Sequence, residues 1–296
     1  MAPPMKLDLV YNPTAGSFRA ERLAALVQAF ERRGVAVRQI SSARGWRPAT
    51  DPPNLVCVHG GDGTLRDAVQ ALGTLAGDIP LCIAPSGTIN LVARELGYPR
   101  DPETLAGQVL AAWKRGPEGW LKAPLYTLGE MPIVACLSIG PDSHAVAHVS
   151  STLKRRIGRT AYVVAMIRVL RRWPAETMIV RGETVDGGRF ECEAGAVIAS
   201  HGALYAGSFR LSPRAALQAD GVELIVLRRS GRWATMAFVA AALLRLPLDR
   251  LGLADIRTVR RVEFDRCVSP VQVDGDHIPD CAYAIGPSGL TLRYIV

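Results

Sequence analysis

Along the first third of the chain, short apolar runs alternate with stretches whose apolar residues recur every three or four positions. Leu7–Tyr11 is such a run, ended by the turn signal Asn12-Pro13, and predicts a strand. Between Arg19 and Arg33, Leu23, Leu26, Val27 and Phe30 keep a helical period, and Gly34 stops the helix. Val35–Ile40 and Leu55–His59 predict two further strands, the second of the fully buried kind, followed at once by Gly60-Gly61-Asp62-Gly63. Thr64–Leu72 predicts a helix, Leu81–Ala84 a strand broken by Pro85-Ser86-Gly87, and Asn90–Leu96 and Pro102–Trp113 two more helices. This β-α-β alternation implies a parallel sheet covered by helices.

Near residue 120 the pattern changes. Strand signals dominate at Ala123–Leu128, Ile133–Ile139, Met178–Arg181, Arg189–Glu193, Ala196–Ser200, Val222–Leu227, Arg261–Phe264, Val271–Val273 and Leu290–Ile295, separated by Gly, Pro and Asp turns. That spacing predicts an antiparallel sandwich or barrel. Two helices interrupt it, at about Thr160–Arg172 and Trp233–Leu244. There is no internal repeat and no low-complexity linker.

Composition adds three constraints. A chain of 296 residues suggests about two domains, and 49% hydrophobic against 21% charged residues gives enough apolar material for real cores. A net charge of +8 favours anionic partners: nucleotide phosphates, nucleic acid or an acidic membrane surface. No two of the 6 cysteines share a CxxC spacing, which argues against a zinc or thioredoxin-like site. Cys57, Cys82 and Cys136 lie in apolar runs and are expected to be buried thiols, suited to a reducing cytoplasm. The longest apolar run, Met236–Leu244, is far short of the roughly 20 residues of a membrane span, and the first residues lack a signal-peptide pattern. The expected location is the cytoplasm, with the membrane surface within reach.

The sharpest chemical feature is Val58–Val69, VHGGDGTLRDAV: a buried strand, a glycine-rich turn, then a helix start. Glycines let backbone N–H groups approach a phosphate, and the helix N-terminus adds positive dipole. Asp62 in such a loop repels phosphate unless a metal ion bridges them or the carboxylate handles a proton. A second strand–turn–helix, APSGTINLVAREL (84–96), places Gly87, Thr88 and Asn90 at a corresponding turn, and VYNPTAGS (10–17) brings Asn12, Thr14 and Ser17 to the end of the first strand. All three turns fall at the C-terminal edge of the expected sheet, where α/β folds bind nucleotides. No P-loop, no G-x-G-x-x-G fingerprint and no protein-kinase H-R-D or D-F-G motif occurs.

Taken together, NPTAG, GGDGT (60–64) and PSGTIN resemble the diacylglycerol kinase catalytic family, which includes bacterial soluble lipid kinases and the sphingosine and ceramide kinases. The resemblance continues through SIGPDSHA (138–145), LYAGSFRLSPRAALQADGVELIVL (204–227) and VQVDGD (271–276), in the family's order. It implies an ATP-dependent lipid kinase built from an α/β nucleotide-binding domain (1–122) and an all-β sandwich lipid-binding domain (123–296). The active site would lie in the interdomain cleft, and the last strand would return to the first domain. It also implies that Asn12, Thr14, Gly60, Gly61, Asp62, Gly63, Thr64, Gly87, Thr88 and Asn90 serve the nucleotide. Asp220, with main-chain carbonyls such as those of Leu217 and Val222, would hold a structural Mg²⁺, and Asp142 would stand on the lipid-substrate side.

Phosphoryl transfer asks for alignment, charge neutralisation by Mg²⁺ and a base near the attacking hydroxyl. The family's Asp-Gly-Glu carries the carboxylate proposed as that base. Here the triplet is Asp274-Gly275-Asp276, which puts Asp276 in the Glu position. Asp62 is the alternative base, and Asp274-Gly275 also has the composition of a hairpin turn. Where bacterial diacylglycerol kinases usually carry Asn-Asp, Asn90 is followed by Leu91, closer to the sphingoid-base kinases; this tilts the expected substrate towards ceramide or a sphingoid lipid over diacylglycerol.

Arg168, Arg171 and Arg172, with Trp173 beyond them, border an apolar helix face and suggest docking on an anionic membrane surface. Two readings compete with the lipid kinase. One is a soluble kinase related to NAD kinase, which shares the GGDGT loop; the other is a non-catalytic nucleotide- or lipid-binding regulator.

Overall fold

The computed structural model describes residues 5–44, 46–48, 51–148, 169, 177–228, 231–265, 270–278 and 284–296. The chain divides into two units, Met1–Leu125 with Gly289–Val296, and Tyr126–Ser288.

In the first unit, β1 (Lys6–Tyr11), β2 (Ala36–Ser41), β3 (Leu55–Gly60) and β4 (Leu81–Pro85) form a parallel sheet in the order β2-β1-β3-β4. The end of the last strand joins beside β4 through Tyr294 opposite Leu81. Every residue of β3 and β4 is buried, as expected of parallel strands covered on both faces. The covering helices are α1 (Ala20–Glu31), α2 (Asp62–Leu72), α3 (Leu91–Glu95) and α4 (Pro102–Arg115). α1 buries Leu23, Leu26, Val27 and Phe30, the helical stripe read from the sequence. α4 starts where Asp101 accepts from the Thr104 amide at 2.8 Å with Pro102 in the first turn. Tyr98 donates its hydroxyl to the Ile295 carbonyl at 2.6 Å, tying the final strand to this unit. Strand order reverses between β1 and β3, and there the open end of a parallel sheet leaves a crevice.

The second unit is antiparallel. β7 (Cys136–Ile139), β10 (Ala196–Ser200), β11 (Val222–Leu227), β12 (Asp255–Phe264), β13 (Val271–Val273) and β14 (Asp276–Ile278) pair in the order β14-β13-β7-β10-β11-β12. β8 (Met178–Thr184) and β9 (Arg189–Ala194) form a hairpin added to β12. β5 (Leu121–Leu128) pairs with β6 (Met131–Ile133) and with β15 (Ala284–Tyr294). α5 (Pro141–His148) and α6 (Arg232–Leu243) complete the described elements. Side chains alternate as strand geometry demands: in β10, Val197 and Ala199 enter one apolar core, while Ala196 and Ile198 enter a second core shared with Phe238, Ala241 and Ala242 of α6.

Several elements differ from the sequence expectation. Ile133–Ile139 is two strands rather than one, because the amides of Val134, Ala135 and Cys136 donate to the Asp274 carboxylate instead of continuing a ladder. α2 starts at Asp62, not Thr64. β12 starts at Asp255 and β15 at Ala284, both longer than their apolar stretches, because charged residues break the run in β12 and Gly-Pro-Ser-Gly breaks it in β15. α5 was not anticipated; its PDSHAVAH sequence has no clear helical stripe. The helix expected at 160–172 lies, Val169 apart, outside the described residues, and so do Arg168, Arg171, Arg172 and Trp173. Cys57, Cys82 and Cys136 are buried thiols outside any disulfide, as expected.

Candidate functional site

Three loops of the first unit meet at the C-terminal edge of its sheet, and hydrogen bonds knit them. Asn12, just past β1, receives the chain direction from β3 by donating its amide to the His59 carbonyl at 3.1 Å. Its side chain then works both ways. Nδ2 donates to the Thr64 hydroxyl at 3.1 Å, and Oδ1 accepts from the Thr14 amide and hydroxyl at 2.9 and 2.8 Å. The Ser17 amide donates to the Ser86 carbonyl at 2.8 Å, and the Ser86 amide to Gly60 at 2.9 Å. Asn90 sits in the left-handed region at φ 57 and closes a small ring with Gly87: Oδ1 accepts from the Gly87 amide and Nδ2 donates to its carbonyl, each at 2.8 Å. Asn12, Thr14, Gly60, Gly61, Thr64, Gly87 and Asn90 thus belong to one constellation. Thr88 joins it at Gly16, where an added β-carbon would lie 2.6 Å from the Thr88 hydroxyl.

The glycines serve contacts inside the protein. A β-carbon on Gly87 would fall 2.6 Å from the Gly61 Cα, and one on Gly60 would fall 2.4 Å from the Thr64 Cβ. Gly61, expected as a place where phosphate meets bare backbone, faces Gly87. α2 then begins without a side-chain cap on Gly61, with the positive end of its dipole at this edge. Gly63 lies in that first turn, half-buried.

Asp62 links the two strand–turn–helix units. It belongs to the first turn of α2, is buried, and its two carboxylate oxygens accept from the Leu91 and Val92 amides at 2.8 and 3.0 Å. It anchors the N-terminus of α3. A carboxylate held this way ties the start of α2 to the start of α3.

Two buried polar atoms at this edge have no hydrogen-bond partner: His59 Nε2 and Ser86 Oγ, on residues with 0% exposure. His59 Nδ1 lies 3.1 Å from the Ala84 carbonyl and so carries the proton, leaving Nε2 a lone pair. Burial lowers the His59 pKa to about 4, so the ring is neutral at pH 7. The Phe18 ring covers it at 5.9 Å. The signal for His59 in the sequence is its position directly before the glycine turn.

In the second unit, Asp276 is exposed and opens β14. It follows a two-residue hairpin turn in which Asp274 and Gly275 both have positive φ, 53 and 87, with Val273 opposite Asp276. Asp274, which sequence reading passed over as turn material, is buried and accepts from three amides, of Val134 (3.2 Å), Ala135 (2.8 Å) and Cys136 (3.0 Å). It fixes the hairpin that presents Asp276. Asp142 lies in the first turn of α5 and accepts from the Tyr205 hydroxyl. Burial raises its carboxyl above the usual range against the opposing pull of hydrogen bonds from Ser138 and Tyr205. Glu223, also missed, is buried and bonded to the Ser212 and Thr258 hydroxyls.

The implied Mg²⁺ site would draw on the Asp220 carboxylate and on main-chain carbonyls such as those of Leu217 and Val222. Asp220 has a side chain 73% exposed, and the Arg260 guanidinium lies 3.7 Å from its carboxylate. Leu217 and Val222 are buried. Among the described residues no group of three or more His, Cys, Asp or Glu side chains is placed to hold a metal.

Comparison with known proteins shows the family and the fold. Residues 6–116 match the family model described as the diacylglycerol kinase catalytic domain, and residues 135–290 the YegS C-terminal NAD kinase beta sandwich-like domain. A Bacillus subtilis protein named diacylglycerol kinase is 26% identical over 246 residues, 77% of each chain. A Pseudomonas putida protein named "Probable lipid kinase YegS-like" is 32% identical over 108 residues, and a Mycobacterium tuberculosis diacylglycerol kinase 36% identical over 118. These two matches span only 34% and 37% of the relatives' lengths. The crystal structure of a diacylglycerol kinase from Bacillus anthracis shares the fold, with TM-score 0.68 and 20% identity over 100% of this chain and 98% of that one.

Proposed function

Since the chain belongs to the diacylglycerol kinase and YegS-like family of lipid kinases, we propose that it transfers the γ-phosphate of ATP to the primary hydroxyl of a neutral lipid. The observation that carries this reading is the triple loop junction at the edge of the parallel sheet. Asn12, Thr64, Gly61, Gly87 and Asn90 interlock there around the uncapped start of α2. A helix N-terminus at a point of reversed strand order is a ready anion site.

In this reading ATP binds with the divalent ion it carries as a co-substrate complex, and Mg²⁺ is the proposed ion. The α2 N-terminus steadies phosphate charge, and Asp62 keeps the loop after β4 in place through α3. Asp276 accepts the proton of the attacking lipid hydroxyl. Its support is the family's carboxylate position together with its exposure at the end of a hairpin pinned by Asp274. No step is assigned to a metal at Asp220. Asp142, held by Tyr205, is proposed to face the lipid.

Diacylglycerol is the leading substrate, because relatives over most of the chain bear that name. Leu91, the residue that favours ceramide, is only 6% exposed and donates its backbone amide to Asp62. The test is incubation with γ-labelled ATP, Mg²⁺ and dispersed diacylglycerol, ceramide, sphingosine or, separately, NAD. Label in phosphatidic acid is expected. Label in ceramide phosphate alone would reverse the substrate order, and label in NADP would replace the reading with the soluble-kinase one.

No helix among the described residues is long and apolar enough to cross a membrane. We propose that the protein meets its lipid peripherally, from the cytoplasmic side.

A further inference from the structure

Helix α6 inverts the usual polarity of a surface helix. Phe238, Ala241 and Ala242 face inward onto the second core of their unit. The outward side carries Trp233, Met236, Val239 and Leu243, which are 74%, 45%, 39% and 63% exposed; Leu244 and Leu246 extend the patch at 70% and 44%. On an ordinary helix this side is charged. Here the helix contains one charged residue, Arg232, at its first position. A contiguous exposed apolar face of this kind marks an interaction surface.

Its surroundings say what it meets. Residues 228–251 contain five arginines, one aspartate and no glutamate. Arg228 is paired with Asp255, whereas Arg232, Arg245 and Arg250 have no carboxylate partner among the described residues. Arg232 precedes the apolar face and Arg245 follows it, so the patch is rimmed by cations at both ends. Two copies meeting across a two-fold axis through this face would bring like-charged rims together. An anionic bilayer satisfies both features: the apolar side chains enter the acyl boundary, the arginines meet lipid phosphates, and Trp233 sits at the interface, where tryptophan is favoured.

We propose that the outward face of α6, with Arg232, Arg245 and Arg250, docks this protein on the surface of an anionic lipid bilayer. The surface rests on the lipid-kinase reading only for its purpose, bringing an enzyme to a substrate dissolved in the bilayer. Vesicle binding without ATP tests it separately from turnover.

The experiment is co-sedimentation of the full chain with vesicles of phosphatidylcholine alone or mixed with phosphatidylglycerol. The parent is expected to bind the mixed vesicles and to be released by salt. Arg232→Gln/Arg245→Gln/Arg250→Gln should lose binding by roughly a hundredfold, the scale of three basic residues at an anionic surface. Leu243→Gln/Leu244→Gln, exposed positions whose change should leave the thermal midpoint unaltered, should lose binding by tenfold or more while lowering turnover on a detergent-dispersed lipid little. The proposal is overturned if the parent ignores anionic vesicles or if both folded variants bind as it does. It is equally overturned if the parent is a dimer that Leu243→Gln/Leu244→Gln splits, since a second copy then covers the face. Absence of kinase activity with vesicle binding intact would count against the kinase reading alone.

Discussion

Gly61 and Gly87 stand face to face across two loops, so close that a β-carbon on Gly87 would lie 2.6 Å from the Gly61 Cα and 3.1 Å from its amide nitrogen. The obstacle is backbone, which cannot swing aside. The start of α2 and the turn after β4 therefore form one unit, and the shape offered to a phosphate depends on that contact.

Gly87→Ala should push the two loops apart. We expect a loss of stability of about 1–3 kcal/mol, the cost of overpacking a tight contact, together with weakened nucleotide binding. Urea unfolding and calorimetry with ATP check the two effects. Gly61→Val should act by the same route and destabilise the first unit. A folded variant of unchanged stability that fails only in ATP binding would show that phosphate, not Gly87, occupies the space beside Gly61.

Asp62→Asn replaces one of two acceptors by a donor that faces a backbone amide. Leu91 or Val92 then loses its partner inside the protein, and a buried unpaired donor costs about 1–3 kcal/mol. The expected result is a lowered unfolding midpoint and reduced turnover together, with Asp62→Ala worse on both. Undiminished stability with turnover abolished would return Asp62 to the list of proton acceptors.

His59 makes stability depend on pH. Its folded pKa is about 4 against 6.5 for an unperturbed histidine, lowered chiefly by burial. Unfolding therefore takes up a proton between these values. The stabilisation is complete above pH 6.5 and falls as pH drops towards 4, at about 1.4 kcal/mol per pH unit in the steepest part. His59→Asn, which keeps a donor for the Ala84 carbonyl, should flatten the urea midpoint over that window. An equally steep profile in the variant would assign the dependence to other groups.

Asp274 and Asp276 should separate cleanly. Asp274→Ala strands three buried amides, and we expect several kcal/mol of destabilisation, by the same accounting of about 1–3 kcal/mol for each unsatisfied group. Asp276→Asn alters an exposed side chain and should leave the melting temperature unchanged while lowering kcat by about a hundredfold or more, with ATP affinity within about threefold. A folded Asp276→Asn protein of parental kcat would remove Asp276 as the base.

Much of this was legible in the sequence because the signals were local. Buried strands such as Leu55–Gly60 announce themselves as apolar runs, and GGDGT, NPTAG and PSGTIN each mark a turn after a strand. What sequence could not display was direction. Asp62 reads as a loop carboxylate free to meet phosphate, and only its approach to the Leu91 and Val92 amides shows it spent on α3. Asp274 was hidden for the same reason: its partners lie about 140 residues away in sequence, at Val134–Cys136. The approach of Arg260 to Asp220 is likewise invisible in sequence, because it depends on β12 pairing with β11. The apolar run at Met236–Leu244 was visible, but whether its outer face is covered is a property of packing.

The central claim is phosphoryl transfer from ATP to a lipid hydroxyl. The most direct measurement is ³¹P NMR of the full chain with ATP, Mg²⁺ and a short-chain diacylglycerol. Equal growth of an ADP signal and a lipid phosphomonoester signal is predicted, both strongly slowed in Asp276→Asn. ADP accumulating with inorganic phosphate and no lipid phosphomonoester, or no ATP consumption with diacylglycerol, ceramide or sphingosine present, would contradict it.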